Sequence, residues 1–275
     1  MNHILDRPVF IIAMPRSGST LLFDVLRAHE RVRAWENEAY PPWIAVDPTV
    51  ASGPSGDAFA PEALDAGAAR RAEWSLHEGV MRRGWREKRG RVRYRLIEKT
   101  PPNILRVRAL DAMFPDAVFI HLTRDAPQSI ASMLEGRDRG LSVRAWPHKH
   151  GHEWHFLMAP GWLGHLDDSP AEQFAWQWQV GNQTAVDDLA QIARSRWCRI
   201  KYEDFVVNAP RMVDDLLSFC YLPRSKAVTA AAEKLAPSAV TLSAPSDDKW
   251  RARAKEINPV LPRLAPLRKT LGYKY

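Results

Sequence analysis

Cysteine is nearly absent: Cys198 and Cys220 are the only two in 275 residues. That excludes a disulfide scaffold and leaves too few thiolates for a cysteine-based structural zinc site. Long apolar runs are also missing. The longest near the start, Val9 to Met14, has six residues, against about twenty needed to cross a bilayer, so no stable membrane insertion is expected. The opening Met-Asn-His-Ile-Leu-Asp-Arg has no apolar signal-peptide core, and a cytoplasmic location is the expectation. A GxxxxGK loop followed by Ser or Thr does not occur, which removes the main support for ATP or GTP hydrolysis. Neither a helix-turn-helix signature nor an RNP motif is present, so nucleic acid is not expected as a partner. Internal repeats and low-complexity segments are lacking as well.

What is present suits one globular domain over residues 1–275: 45% hydrophobic and 26% charged side chains are enough to bury a sizeable core. Basic residues outnumber acidic ones, 39 to 32, for a net charge of +7. Arginine dominates, 29 against 10 lysines. Arginine's planar fork suits bidentate binding of oxyanions, although high-GC coding bias enriches the same residue. The dense run Arg82, Arg83, Arg86, Lys88, Arg89, Arg91, Arg93, Arg95 reads as a solvated face.

The run Pro8 to Ala13 reads as a strand buried on both faces, and Leu21, Leu22, Val25 and Leu26 recur at helical spacing after it, to about His29. Trp43 to Pro61 reads as a surface loop or lid, followed by a helix from Pro61 to Arg89. Arg95–Lys99 is a second expected strand, with Asn103 capping a helix through Met113; Ala117–Thr123 is a third. Asp125 is positioned to cap a helix to Glu135. Ala171–Ala193 has helical spacing, Trp197–Tyr202 resembles a last strand, Pro210–Cys220 a helix, and the Pro-rich tail beyond Pro237 reads as irregular. The alternation predicts an α/β fold, a P-loop-like parallel β-sheet flanked by helices. Gly140 to Pro170, with Trp146, Trp154, Trp162 and five of the nine histidines, breaks it and is read as an inserted Trp/His-rich lid.

Between the first strand and helix lies Met14-Pro15-Arg16-Ser17-Gly18-Ser19-Thr20. A turn there points backbone N–H groups, at the positive end of the helix dipole, toward an anion. Gly18 permits close approach, the hydroxyls of Ser17, Ser19 and Thr20 can donate, and Arg16 adds a fixed charge. A plain serine-rich helix cap would look the same. At the end of the third strand, Arg124 with Ser129 and Ser132 on one helical face could hold a second anion.

With these motifs the sequence resembles the sulfotransferases that use 3′-phosphoadenosine 5′-phosphosulfate (PAPS). Pro15 to Leu22 is similar to their 5′-phosphosulfate loop, Arg124 with Ser132 to their 3′-phosphate pair, Tyr202-Glu203-Asp204 to an element whose tyrosine lies beside the nucleotide, and Lys249-Trp250 to a late basic-aromatic pair. The matches fall in family order from Pro8 to about Trp250. The PRSGSTLL loop is nearest to the tyrosylprotein sulfotransferase type and its bacterial relatives, in which a catalytic glutamate follows the loop proline by 21 residues; that position is Glu36. Glu98-Lys99-Thr100-Pro101-Pro102 resembles the lysine-bearing strand end of the family, with Pro101 where cytosolic members carry a catalytic histidine.

The resemblance implies in-line sulfuryl transfer to an acceptor hydroxyl, with PAP as product. Arg16 and Lys99 would stabilise the leaving phosphate and Glu36 would be the general base, with Glu38 the fallback. The expected donor site comprises Arg16, Ser17, Gly18, Ser19, Thr20, Arg124, Ser132, Tyr202, Lys249 and Trp250. The acceptor would be a small molecule, lipid, glycan or natural product. His148, His150, His152 and His155 with Glu153 match no metal motif, and no metal is expected. The competing readings are a kinase-like P-loop enzyme and a non-catalytic nucleotide- or nucleic-acid-binding protein. Oligomeric state is not readable from the sequence.

Overall fold

A computed structural model of the chain describes residues 4–35, 38–50, 56–81, 93–235, 242 and 248–274. Strands β1 (Val9–Ala13), β2 (Val32–Ala34), β3 (Arg95–Glu98), β4 (Val118–Thr123) and β5 (Trp197–Lys201) form one parallel sheet in the order β2-β3-β1-β4-β5. Ala13 pairs with Leu122 and Thr123 with Lys201. Strand order reverses at β1, because β2 and β3 lie to one side and β4 and β5 to the other. The chain therefore leaves β1 and β4 toward opposite edges of the sheet, which makes their carboxyl ends a switch point, the place where open α/β sheets take ligands.

β1 is buried on both faces, as its unbroken apolar run requires, and its alternate residues feed different cores. Phe10 and Ile12 join Leu96 and Phe119 beneath α4 (Val107–Met113), α5 (Ala126–Asp138) and α7 (Pro170–Leu189). Val9, Ile11 and Ala13 join Ile97, Ile120 and Leu122 beneath α1 (Ser19–Leu26), α8 (Tyr202–Phe219) and α9 (Lys226–Glu233). Asp125 caps α5 through its side chain, and Ser169 with Glu172 forms a capping box at the start of α7.

Several expectations are corrected. The segment from Trp43 is no surface loop: α2 (Tyr40–Val46) contains it, and Trp43, Val50 and Phe59 are core residues; residues 51–55 lie outside the described set. The helix expected over Pro61–Arg89 is a 3-10 turn, Pro61–Ala63, and then α3 (Ala68–Met81). Asn103 does not cap a helix: it sits inside a 3-10 turn, Pro101–Leu105, and its amide donates to Glu98 at 2.6 Å. Tyr202 opens α8 instead of closing β5, and the helix passes through Pro210 with a non-helical residue at Asn208. The described part of the tail from Lys249 is largely helical, with a turn at Lys249–Arg253, the short α10 (Ala254–Ile257) and α11 (Leu261–Thr270); residues 236–241 and 243–247 lie outside the described set. Most of the basic run, residues 82–92, is outside the described set; Arg95 is no solvated residue but a buried one on β3, paired with Asp6.

The Trp-rich segment, which includes α6 (Ala145–Lys149), has its own small core: Trp154, Met158 and Trp162, with Trp146 and Trp176 packed on them. Trp146 meets Trp162 edge-on at 5.4 Å. His155 is buried and bonded to the Leu141 carbonyl (2.7 Å) and to Glu153 (3.0 Å). Among the described residues no three His, Cys, Asp or Glu side chains form a metal-binding group, and no helix is long and apolar enough to cross a membrane.

His121 on β4 is fully buried, and Arg199 donates to its Nδ1 at 3.2 Å. Burial, with the Arg199 charge second, pushes its pKa down to about 3 from the ordinary 6.5. The unfolded chain therefore binds one more proton than the folded chain between these values, and stability falls as pH drops through this window. Buried Glu98, pushed up to about 7 from 4.5, acts in the opposite sense between 4.5 and 7. Below 4.5 the histidine is unopposed by it. His121→Asn is expected to flatten the decline of the melting temperature between pH 4.5 and 3 relative to wild type; parallel curves would refute this.

Candidate active site

The loop after β1 is held open by two left-handed residues, Arg16 (φ 65°) and Gly18 (φ 86°), with the Ser17 N–H bonded to the Met14 carbonyl at 3.3 Å. Gly18 is required on two counts. It is the residue preceding α1 in a conformation that L side chains resist, and a Cβ there would lie 2.2 Å from the Tyr202 ring. The first intrahelical bonds run from Leu21 and Leu22 to the Gly18 carbonyl, so the Ser19 and Thr20 N–H groups belong to the unsatisfied first turn. Ser19 is buried and Thr20 half-buried there.

Tyr202, the first residue of α8, packs on this loop at Gly18. Its ring also carries the Arg124 guanidinium, 4.6 Å from the ring centroid. Arg124 leaves β4, donates through Nη1 to the Arg16 carbonyl at 3.1 Å, and accepts at its own carbonyl from Trp178 Nε1 (3.1 Å) and Ser129 Oγ (3.3 Å). Ser129 is thereby committed to the backbone. Ser132, one turn on, accepts from Arg16 Nε at 3.3 Å. Burial lowers the pKa of Arg16, with Glu135 opposing the shift. Glu135 is the partner of Lys249, so the late basic residue approaches this region through a carboxylate. Trp250 packs against the main core with Arg251 over its ring.

Two buried polar atoms here have no partner among the described residues: Ser17 Oγ and Arg124 Nε. Buried donors are normally satisfied, so these two, on the loops that leave β1 and β4, have hydrogen-bonding capacity that an oxyanion could take up. The donor set, hydroxyl plus guanidinium around open N–H groups, fits phosphate or sulfate.

Lys99, at the end of β3, is buried and lies 3.4 Å from the Glu38 carboxylate. Its neighbours explain its position. The Ala39 N–H donates to Thr100 Oγ1 at 2.8 Å, and Thr100 in turn donates to Glu98, which also accepts from Asn103. Glu98 is fully buried, and burial outweighs the Thr100 bond and the Lys99 charge to push its carboxyl up to about 7. Burial, then the Glu38 carboxylate, raises the pKa of the Tyr40 phenol, which is hydrogen-bonded to that group. Glu36 lies outside the described residues. Sequence reasoning missed Glu98 and Asn103 as partners of this strand end; the signal was there, a carboxylate directly after the buried Leu96-Ile97.

The structure thus brings Arg16, Gly18, Arg124, Ser132 and Tyr202 into one contact network and places Lys99 with Glu38 on the adjacent strand end. Solved structures share the fold. Sulfotransferase STF9 from Mycobacterium avium superposes with a TM-score of 0.60 at 14% identity, covering 98% of this chain and 78% of that one. A sulfotransferase from Alicyclobacillus acidocaldarius gives 0.52 at 13% identity, covering 98% of both. Among curated sequences, an uncharacterized protein of Aquifex aeolicus (strain VF5) is 24% identical over 94% of this chain, which spans only 32% of that relative's length. A family model described as the sulfotransferase family matches residues 8–226, from the first strand to the start of α9, and by that match the chain belongs to the sulfotransferase family.

Proposed function

We propose that this protein moves a sulfuryl group from PAPS to an acceptor hydroxyl, releasing PAP. The observation that supports this reading most directly is the pair of buried donors without a partner among the described residues, Ser17 Oγ and Arg124 Nε, on the loops that leave β1 and β4. When bound, PAPS supplies the activated sulfuryl group. Arg16, Ser17, Gly18, Ser19 and Thr20 would hold its 5′ end, and Arg124 with Tyr202 and Ser132 its 3′-phosphate end. Lys249, paired with Glu135, and Trp250 would border the nucleotide.

The work left to the protein is positioning and charge stabilisation, as in phosphoryl transfer. Arg16 is partly withdrawn from water, which strengthens its attraction for an incoming anion. Lys99 lies 3.4 Å from Glu38, its charge also acts on buried Glu98, and it would neutralise charge that develops on the leaving group. Glu36 would accept the acceptor's proton, an assignment that rests on the register of the loop resemblance. The Thr100 bond to Ala39 anchors the chain two residues after the segment that contains it. The Trp-rich lobe over residues 140–170 would cover a small-molecule, lipid or glycan acceptor.

PAP at 100 times its dissociation constant is expected to stabilise the protein by about 2.7 kcal/mol, a rise of roughly 5–10 °C in melting temperature for a chain of this size. Stabilisation by ATP with magnesium and none by PAP would refute the reading in favour of a kinase-like enzyme. An acceptor screen with labelled PAPS and mass-spectrometric detection identifies the product, and Glu36→Ala should then bind PAP as wild type does while losing turnover. Unchanged turnover would remove Glu36 as the base.

A further inference from the structure

We propose that the C-terminal helix α11 and the residues after it form a strap that positions Arg124 and Tyr202 for the 3′-phosphate, with Arg268 and Tyr273 as positioning residues; this rests on the PAPS reading above.

The strap lies beyond the residues that the family model matches. Arg268 grips Asp125 with both ends of its fork: Nε to Oδ1 at 2.7 Å and Nη2 to Oδ2 at 2.8 Å, with both side chains largely buried. Tyr273 Oη donates to Glu203 at 3.2 Å and lies 3.0 Å from Thr123 Oγ1. The Asp125 N–H donates to the other oxygen of Glu203 at 3.0 Å. The Gly272 carbonyl accepts from Lys201 Nζ at 2.6 Å, and that ammonium lies 4.9 Å from the Tyr273 ring centroid.

The pattern is specific in sequence terms. Thr123 and Asp125 flank Arg124, and Lys201 and Glu203 flank Tyr202. Every one of these four neighbours is held by the strap directly, while Arg124 and Tyr202 themselves are left to stack on each other and to face the phosphate loop. A guanidinium on a strand end has several rotatable bonds, and holding the side chains on both sides of it restrains the strand end and lowers the entropy lost when it orders around a ligand. A buried aspartate–arginine fork and a shared glutamate do so more rigidly than solvent-exposed pairs. Burial raises the pKa of the Tyr273 phenol, so it remains a neutral donor to Glu203 across the working range.

The test compares PAP with adenosine 5′-monophosphate (AMP), which lacks the 3′-phosphate, by calorimetric titration of the full chain. Arg268→Gln is expected to weaken PAP by about tenfold, the loss of a charge-assisted bond, while AMP changes less than about twofold; Tyr273→Phe, a milder change that keeps the ring, should move the same ratio in the same direction. Arg124→Ala sets the floor. A wild-type PAP/AMP ratio in both strap variants, alongside its collapse in Arg124→Ala, overturns the strap and leaves the PAPS reading intact. Equal loss of PAP and AMP, in step with melting temperature, also overturns it, since the contacts would then only hold the fold. Wild type without preference for PAP over AMP overturns the donor reading and the strap together.

Discussion

Lys99→Met is expected to lower the rate of sulfuryl transfer by about 10²–10³-fold while leaving the PAP-induced rise in melting temperature close to that of wild type. The magnitude is that of removing one preorganised donor aimed at charge that develops in a transition state. Methionine keeps the unbranched stem, so the buried site is filled and the change is one of charge. The ammonium is buried, pairs with Glu38 at 3.4 Å and acts through its charge on Glu98. A lysine used only to neutralise those carboxylates would leave the rate nearly unchanged when replaced and would show its loss in stability instead. The two outcomes are separated by measuring transfer and melting temperature on the same preparation. A second signature follows from the sign of the coupling. Lys99 holds the Glu98 pKa below the value that burial alone would impose. Its removal therefore raises that pKa further, extends the pH range in which folded Glu98 is protonated, and carries the loss of stability with rising pH beyond pH 7.

What was legible in the sequence was local. A run of apolar residues followed by Gly and Ser announced β1 and its loop, because both signals sit within a dozen positions of each other. Asp125 as a cap and the period of α7 were readable for the same reason. The three-residue β2 was too short to leave a pattern. The tail misled through its prolines: Pro259 and Pro262 sit in first turns, where a missing N–H costs nothing, while Ile257, Val260, Leu264, Leu267 and Leu271 recur at helical spacing and are buried. Asn103 was a good cap by type and lost that role to a buried carboxylate five residues earlier. In the site, Arg124 and Tyr202 could be named but not their meeting on the face of Gly18, and Lys99 could be named but not its pairing with Glu38. Such contacts join strand ends that periodicity treats separately. The strap and the charges inside the protein were invisible because their partners are remote in sequence, as with Arg268 and Asp125.

Asp57→Ala is expected to cost about 3–5 kcal/mol, the penalty for leaving a buried charge without its partner, and to lower the melting temperature by roughly 6–20 °C. Asp57 is wholly inaccessible. Its carboxylate accepts from Arg144 and from the Met158 N–H at 2.8 Å, its own N–H donates to the Met158 carbonyl at 2.6 Å, and its carbonyl accepts from Arg106. The close approach is fixed one residue earlier, where a Cβ on Gly56 (φ 70°) would lie 2.1 Å from the Met158 carbonyl oxygen. Arg106 is itself fully buried, its pKa pushed down to about 10 by burial against the opposing charge of Asp57, and it donates onward to Asn103, the partner of Glu98. Asp57 thus ties the Trp-rich lobe to the chain leading from β3. Removing it strands Arg144 in the interior, so the truncation reports the uncompensated partner more than the worth of the bond. The double variant Asp57→Asn with Arg144→Gln, in which neither charge remains, should therefore cost less than the sum of the single substitutions; an additive result in urea denaturation would show that the two side chains are not energetically coupled. Hydrogen exchange offers an independent reading. In Asp57→Ala the amides of residues 154–158 should lose protection while those of β1 keep theirs, since this carboxylate holds the Met158 N–H directly and, among the described residues, β1 pairs only with β3 and β4.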